Sequence, residues 1–196
     1  MGNSLLHNAG DGTFRDISTK AGVGMGRWSW SSDALDFDHD GHADLYIANG
    51  MVSGPVSEDL NSFFWRQVVA NSPDTPRPSS AYEQGWNTIN DLIRSDYTWS
   101  GYERNVFYAN NRDGTFTDVS GAIGLDFLED GRSFALADFD HDGRQEIFRA
   151  EQLREGHAAE SSAKAPEERA SRNIGGVWRL GVHTFSIQEH ELIAVE

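Results

Sequence analysis

An internal duplication constrains this chain more than any other feature of its sequence. Residues 3–50 align with residues 105–152 without a gap, and about a third of the aligned positions are identical. Self-similarity of this kind is typical of architectures in which one small unit is repeated. The matched landmarks are Asp11-Gly12-Thr13-Phe14 with Asp113-Gly114-Thr115-Phe116, Gly22 with Gly124, and Asp36 to Gly41 with Asp138 to Gly143.

Each copy has the pattern of four short strands joined by turns. The first two, at 4–7 and 14–17 and again at 106–109 and 116–119, flank an Asp-Gly turn, which predicts a hairpin because glycine tolerates positive φ. A third strand enters the aspartate cluster at 32–35 or 134–137, and a fourth leaves it at 45–48 or 147–148. Four antiparallel strands per copy resemble a propeller blade. The predicted fold is therefore mainly β, an incomplete β-propeller with two recognisable blades.

Four segments follow from this pattern: a first blade over 1–50, a helical-hairpin insertion over 51–104, a second blade over 105–150 and a polar, atypical tail over 151–196. In the insertion, two apolar stripes at helical spacing are separated by the proline-rich loop 72–79, and residues 57–59 suit a helix start. The stripes are Leu60, Phe63, Phe64 and Val68, then Tyr82, Trp86, Ile89 and Ile93. Two strands, at 177–183 and 191–195, are expected in the tail.

Composition narrows the classes of partner. The chain has 31 acidic and 16 basic residues and a net charge of −15, which repels phosphate backbones and anionic lipids and favours cations. With no cysteine, it has neither thiolate metal ligands nor cysteine nucleophiles. No apolar run reaches the roughly 18 residues of a membrane-spanning helix. Residues 1–8 do not have the pattern of a secretory signal. We expect neither nucleic-acid binding nor membrane insertion.

The two aspartate clusters carry the chemistry. Residues 36–44 place carboxylates at loop positions 1, 3, 5 and 9 and glycine at position 6, and residues 138–146 repeat this pattern with glutamate at position 9. Carboxylates crowded at this spacing suit a hard cation, and we expect calcium, with position 7 contributing its backbone carbonyl. The candidate ligands are Asp36, Asp38, Asp40, His42, Asp44, Asp138, Asp140, Asp142, Arg144 and Glu146.

Alternatives to this interpretation remain open. The loops are not EF-hands, because position 12 holds Ile47 or Arg149 instead of glutamate. The aspartates could instead cap turns, although two copies at one phase of a repeat favour the metal. Asp11 and Asp113 are candidate ligands as well, but their Asx-rich surroundings favour a role in the hairpin turn.

We expect a recognition scaffold without catalytic activity. The alternatives are a carbohydrate-binding module, or a glycoside hydrolase fragment that uses tryptophans as sugar platforms; the candidates are Trp28, Trp30, Trp86 and Trp99. A glycosidase needs an acid and a base flanking a cleft at about 5 to 10 Å, whereas these acids cluster by loop spacing. The chain has no nucleophile elbow, phosphate-binding glycine loop or His-Glu-x-x-His motif.

The repeated Asn-x-x-Asp-Gly-Thr-Phe-x-Asp and Asp-Phe-Asp-His-Asp-Gly motifs resemble FG-GAP or VCBS-type repeats. Together with the insertion over 57–102, these motifs look like the cartilage acidic protein family, whose members often add an ASPIC/UnbV domain. The resemblance implies a β-propeller with calcium in the aspartate loops, an extracellular or periplasmic location for the full-length protein, and a protein or glycan ligand in adhesion or recognition. Two units are too few to close a propeller, so we expect the remaining blades to come from a longer protein or a partner chain.

Overall fold

The computed structural model describes residues 2–139, 141–152, 182–188 and 191–194, and within these ranges the chain is mainly β with few helices. Of the expected tail over 151–196, residues 153–181, 189–190 and 195–196 lie outside the described residues. The strands are β1 (Leu6–Asn8), β2 (Phe14–Asp16), β3 (Ser29–Leu35), β4 (Asp44–Asn49), β5 (Val56–Asp59), β6 (Tyr97–Thr98), β7 (Val106–Asn110), β8 (Phe116–Asp118), β9 (Gly131–Ala137), β10 (Glu146–Gln152), β11 (Val182–Gln188) and β12 (Glu191–Ala194). The α-helices are α1 (Ser18–Ala21), α2 (Asn61–Phe63), α3 (Ser80–Arg94) and α4 (Ser120–Ile123).

The central sheet joins the two copies of the repeat. Its order is β3-β4-β7-β8, and every neighbouring pair is antiparallel. Strands β3 and β4 come from the second half of the first copy, and β7 and β8 come from the first half of the second copy. Leu45, Tyr46 and Ile47 of β4 lie opposite Tyr108, Phe107 and Val106 of β7.

This pairing differs from the expectation that the four strands of one copy form one sheet. The eight strands predicted in the two copies are all present, but β1 and β2 form a separate two-stranded sheet. Hydrophobic periodicity identifies a strand without identifying its neighbour, and the repeat boundary falls in the middle of the sheet. The described strands do not form a closed propeller.

A second four-stranded sheet has the order β12-β11-β10-β9. Strands β9 and β10 are antiparallel, as are β11 and β12, but β10 and β11 run parallel. Of the strand expected at 177–183, residues 177–181 lie outside the described residues and 182 and 183 begin β11, whereas the strand expected at 191–195 corresponds to β12. The parallel pair distinguishes this sheet from the central one, where β4 meets β7 antiparallel.

Two apolar clusters lie on opposite faces of the central sheet. One contains Leu35, Tyr46, Phe107, Leu125 and Ile147, and so joins the central sheet to β10 and to the loop after α4. The other packs α1 and the turn after it against the opposite face of the central sheet; its buried members are Ala21, Val23, Ile47, Val106 and Tyr108. Alternate residues of β4 and β7 enter alternate clusters, as the period of two requires.

Residues Met51–Tyr102 form a compact unit by themselves. The predicted helix start at 57–59 is wrong, because these residues belong to β5, which pairs in parallel with β6. The N–H of Leu60 donates to the carbonyl of Thr98 at 2.8 Å, which keeps the chain extended up to this point. The first apolar stripe then runs through α2, a π-helical turn over Phe64–Val68 and a 3₁₀ turn over Val69–Asn71.

The second stripe of this unit forms α3, as predicted. The helix begins after Ser79, whose hydroxyl accepts a hydrogen bond from the Tyr82 N–H in the manner of an N-cap. Ile89 is fully buried within the unit. None of the helices in the described ranges is both long enough and apolar enough for a membrane crossing.

Candidate metal centre

The first aspartate loop connects β3 to β4 by a turn that requires two left-handed residues. His39 has φ 56° and Gly41 has φ 84°, and their counterparts His141 and Gly143 have φ 60° and 90°. Glycine at loop position 6 adopts this conformation without the Cβ clash that other residues incur. The sharp turn expected at position 6 is confirmed in both copies.

Three carboxylates converge inside this loop. Asp36, Asp38 and Asp40 each offer an oxygen atom, and these atoms all lie within 4.8 Å of one another. The backbone holds them there: the two oxygens of Asp36 accept from the N–H groups of Asp40 and Gly41, each at 2.9 Å. Asp38 accepts from the Asp40 N–H at 3.2 Å, and Asp40 accepts from the His42 N–H at 2.7 Å. The odd loop positions therefore point to one place because the turn itself orients them.

Asp44, at loop position 9, lies outside this group and bonds to the backbone on two sides. Its Oδ2 accepts from the Phe37 N–H at 3.1 Å, and its Oδ1 accepts from the N–H of Asn110 at 2.8 Å. Asn110 ends β7, so this one carboxylate ties the aspartate loop of the first copy to a strand of the second. Burial raises the pKa of Asp44 above its ordinary value, and the charges of Asp38 and Asp40 add to the increase.

The remaining predicted ligand of the first loop is His42. Its side chain is exposed, and its backbone N–H donates to Asp40. This bond fixes the peptide that joins positions 6 and 7. The carbonyl of His42 is the group expected to face a cation, and it stays a prediction.

Three bonds of the first loop recur in the second. Asp138 accepts from the Gly143 N–H at 3.0 Å, Asp142 accepts from the Arg144 N–H at 2.9 Å, and Glu146 accepts from the Phe139 N–H at 2.7 Å. The predicted ligand Asp140 lies outside the described residues. The other oxygen of Asp138, Oδ1, is buried and has no hydrogen-bond partner among the described residues.

An unpartnered buried carboxylate oxygen costs free energy, because the group has lost water without replacing it. A bound cation would supply the missing partner. In the first loop, the equivalent oxygen of Asp36 has the Asp40 N–H instead. The two loops therefore share their fold but differ in how fully the loop itself satisfies its carboxylates.

A positively charged side chain of the protein itself lies against the first aspartate loop. Arg112, in the turn between β7 and β8, directs Nε to Asp40 and places a terminal nitrogen 3.9 Å from Asp38. Desolvation acts to raise the pKa of Asp40, but the His42 N–H and the Arg112 guanidinium outweigh it and lower that pKa. Sequence reasoning missed Arg112, because its counterpart in the first copy is Gly10 and no repeated pattern marks it.

The Asp-Gly turns use their aspartates for turn formation. Asp11 accepts from both the N–H and the hydroxyl of Thr13, at 3.0 and 2.6 Å, and Asp113 accepts in the same way from Thr115 at 2.9 and 2.6 Å. The threonine hydroxyl is the main cause of the lowered pKa of each carboxyl. These contacts agree with the expected role of both residues in the hairpin turn.

The tryptophans considered as sugar platforms mostly have packing partners. Trp86 and Trp99 share an aromatic cluster with Phe64, with ring centroids 5.0 to 6.3 Å apart. Trp30 is partly exposed, but the guanidinium of Arg132 lies 4.6 Å from its ring centroid. Stacked sugars need an open ring face, which these contacts reduce.

A family model described as FG-GAP-like repeat matches residues 1–47 and 91–148. Together these segments make up more than half of the 196 residues. They contain the hairpin turns and both aspartate loops. No curated protein matches the chain significantly.

Replacing Asp44 should destabilise the protein even without a metal ion. Asp44→Ala removes the acceptor of two backbone N–H groups, and each orphaned group costs about 1 to 3 kcal/mol. We expect the free energy of unfolding, measured with urea in the presence of a chelator, to fall by about 2 to 6 kcal/mol. The exposed Asp33→Ala is the matched control and should cost less than about 1 kcal/mol. Equal losses in the two variants would contradict the bridging role.

The threonine contact should be visible in a carboxyl titration. Asp113 has a pKa below 3.8, so its contribution to stability is present above the unfolded pKa and is lost as pH falls through the folded pKa. Thr115→Val removes the hydroxyl and keeps the N–H, so the pKa of Asp113 should rise toward 3.8. NMR of the side-chain carboxyl carbon measures this shift. Asp11, with Thr13 intact, is the internal control, and an unchanged Asp113 would refute the assignment.

Proposed function

Since the chain belongs to the FG-GAP-like repeat family, we propose that it is a calcium-binding scaffold for recognition, without catalytic activity of its own. FG-GAP repeats indicate a propeller-like adhesion or recognition scaffold. The observation that carries the calcium proposal is the convergence of Asp36, Asp38 and Asp40 within 4.8 Å. Three like charges held this close by their own backbone repel one another unless a cation lies among them.

The donor set fits a hard divalent cation. Carboxylate and carbonyl oxygens are the ligands that calcium prefers, whereas zinc and copper favour imidazole or thiolate. In the first loop, Asp36, Asp38 and Asp40 would hold the ion, with the carbonyl of His42 as a further ligand. Asp44 already accepts two N–H groups, so its proposed share in the ligand shell is secondary to its bridging role. In the second loop, Asp138, Asp140, Asp142, Glu146 and the Arg144 carbonyl would form the equivalent set.

Calcium would stabilise the fold by neutralising the carboxylates of the turn that precedes β4. The first loop leads directly into β4, and β4 carries the pairing to β7. An ion among the carboxylates removes their repulsion and so stabilises the turn from which β4 starts. With dissociation constants of about 10⁻⁴ to 10⁻³ M, millimolar calcium contributes about 0.4 to 1.4 kcal/mol per site.

Several observations favour a scaffold over an enzyme. The acids of the first loop lie within one turn and share backbone donors, whereas a glycosidase separates its two acids across a cleft by about 5 to 10 Å. Trp86 and Trp99 are packed in an aromatic cluster. We propose a protein or glycan ligand, an extracellular or periplasmic setting for the full-length protein, and affiliation with the cartilage acidic proteins, on the basis of the motifs described above.

Calcium binding is tested by isothermal titration together with thermal melts in calcium and in chelator. We expect heat of binding and a higher melting temperature in calcium, since the ion binds only the folded loops. Asp38→Asn should weaken binding at the first loop, because it removes one of three converging charges. Asp33 is an exposed acid of β3, and Asp33→Asn should leave calcium binding unchanged. A chain with neither heat nor a melting shift would contradict the proposal.

Arg112 should weaken calcium binding at the first loop, because its guanidinium lies against two of the three carboxylates. A guanidinium and a carboxylate about 4 Å apart in water attract each other by about 1 kcal/mol, and calcium has to compete with this attraction. Arg112→Gln should therefore tighten calcium binding about fivefold. The exposed Arg15→Gln in β2 controls for net charge. Calorimetric titration of both variants measures the difference, and equal affinities would show that Arg112 does not compete.

A further inference from the structure

The first aspartate loop is held from outside by the second copy of the repeat. The carbonyl of Ala43 accepts from the side-chain amide of Asn110 at 2.9 Å, beside the bond between the Asn110 N–H and Asp44. Phe37, at loop position 2, packs edge to face on Phe107 of β7, with ring centroids 5.2 Å apart. These contacts hold the loop at both of its ends, and a cation takes part in none of them.

Arg112 adds a positive charge to the same loop. Its Nε donates to Asp40, and one of its terminal nitrogens lies 3.9 Å from Asp38. A guanidinium at these distances offsets part of the repulsion among the three converging carboxylates. The first loop therefore has, from the protein itself, some of the positive charge that a bound ion would otherwise supply.

The second aspartate loop lies beside a strand that runs in the other direction. β11 pairs in parallel with β10 and ends opposite Gln152, at the far end of β10 from Glu146. β7 is antiparallel to β4, so it ends beside Asp44 at the first loop. The end of β11 therefore cannot give the second loop a bond like the one that Asn110 gives the first.

The interior of the second loop is also less well satisfied than that of the first. Among the described residues, Asp138 Oδ1 is buried without a hydrogen-bond partner, whereas Asp36 Oδ1 accepts from the Asp40 N–H at 2.9 Å. Phe139 is 68% exposed, whereas its counterpart Phe37 is partly buried against the apolar cluster of the central sheet. A buried carboxylate oxygen without a partner is costly, and a hard cation is a partner that suits it.

We infer that calcium orders the second aspartate loop and the β9–β10 turn that it forms, whereas the first loop keeps its folded shape without the ion. The second copy and Arg112 hold the first loop, so calcium adds little order there. The second loop depends on the ion to satisfy Asp138 and to neutralise its acids. This inference rests on the calcium site proposed above and names the part of the structure that calcium controls.

Matched backbone N–H groups report on the two loops, because each donates to a carboxylate at the same position of its own loop. The pairs are Phe37 with Phe139, Gly41 with Gly143, and His42 with Arg144. Amide hydrogen exchange of the full chain, followed by NMR in calcium and then in chelator, measures all six. We expect chelator to speed exchange at least about tenfold in the second loop and less than about threefold in the first. The Phe107 N–H, which donates to Ser120 at 2.7 Å, shows that the protein stays folded.

Two variants test the residues that distinguish the loops. Arg112→Gln should speed exchange at Gly41 and His42 about fivefold in chelator, and calcium should reverse the increase. Arg15→Gln in β2 controls for net charge and should leave both rates unchanged. Asp138→Asn should reduce the response of Gly143 to calcium, because it removes the charge that carries the unpartnered oxygen. Unchanged rates in Arg112→Gln would overturn the role assigned to Arg112.

The exchange data separate this inference from the calcium proposal itself. Equal responses of the two loops, or a larger response of the first, would overturn the inference. Heat of calcium binding without any change in exchange at the second loop would also overturn it and would leave the calcium proposal standing. A chain that shows neither heat of binding nor a melting shift would contradict the calcium proposal, and this inference with it.

Discussion

The hydrogen-bonded contact between β4 and β7 is the interaction on which the described architecture depends. It joins strands from two copies of a repeat into one sheet, and the residues on its two faces supply both apolar clusters. Tyr46 and Phe107 enter one cluster, whereas Ile47, Val106 and Tyr108 enter the other. Each cluster therefore exists only if β4 and β7 pair in this register, because a shift by one residue would exchange the two faces.

Asp44 connects this pairing to the chemistry of the aspartate loop. The same carboxylate accepts from the loop at Phe37 and from the end of β7 at Asn110. Its raised pKa reflects the cost of burying charge beside Asp38 and Asp40. The guanidinium of Arg112 offsets part of that charge. Strand pairing and loop geometry are thus coupled through these few residues, which also adjoin the proposed cation site.

Much of this arrangement follows from the sequence, since strand periodicity and turn residues act locally. The Asp-Gly turns, the left-handed glycines at 41 and 143 and the eight repeated strands all agree with local rules. Pairing across copies could not be predicted, because alternation within a strand does not identify its neighbour. Residues 57–59 form a strand despite a good helix-start pattern, since Leu60 bonds to Thr98 far along the chain.

In the candidate site, too, some features follow from the local sequence and others depend on tertiary pairing. The spacing of Asp36, Asp38 and Asp40 predicted their convergence, because a tight turn places odd positions on one side. The same spacing gave no indication that Asp44 bridges to Asn110, or that Arg112 approaches the loop, because both contacts come from the other copy. Local patterns therefore identify which residues carry the chemistry, and tertiary pairing determines what each of them does.

The pairing of β4 with β7 is tested most directly by nuclear Overhauser contacts between backbone protons. Phe107 donates its N–H to Ser120 and accepts at its carbonyl from Val119, so neither group points to β4. Tyr46 and Phe107 are therefore a non-hydrogen-bonded pair, in which the two Hα atoms face each other. We expect a strong Hα–Hα contact between them. A contact of Tyr46 with Leu5 instead would show that each copy forms its own sheet and would contradict this account.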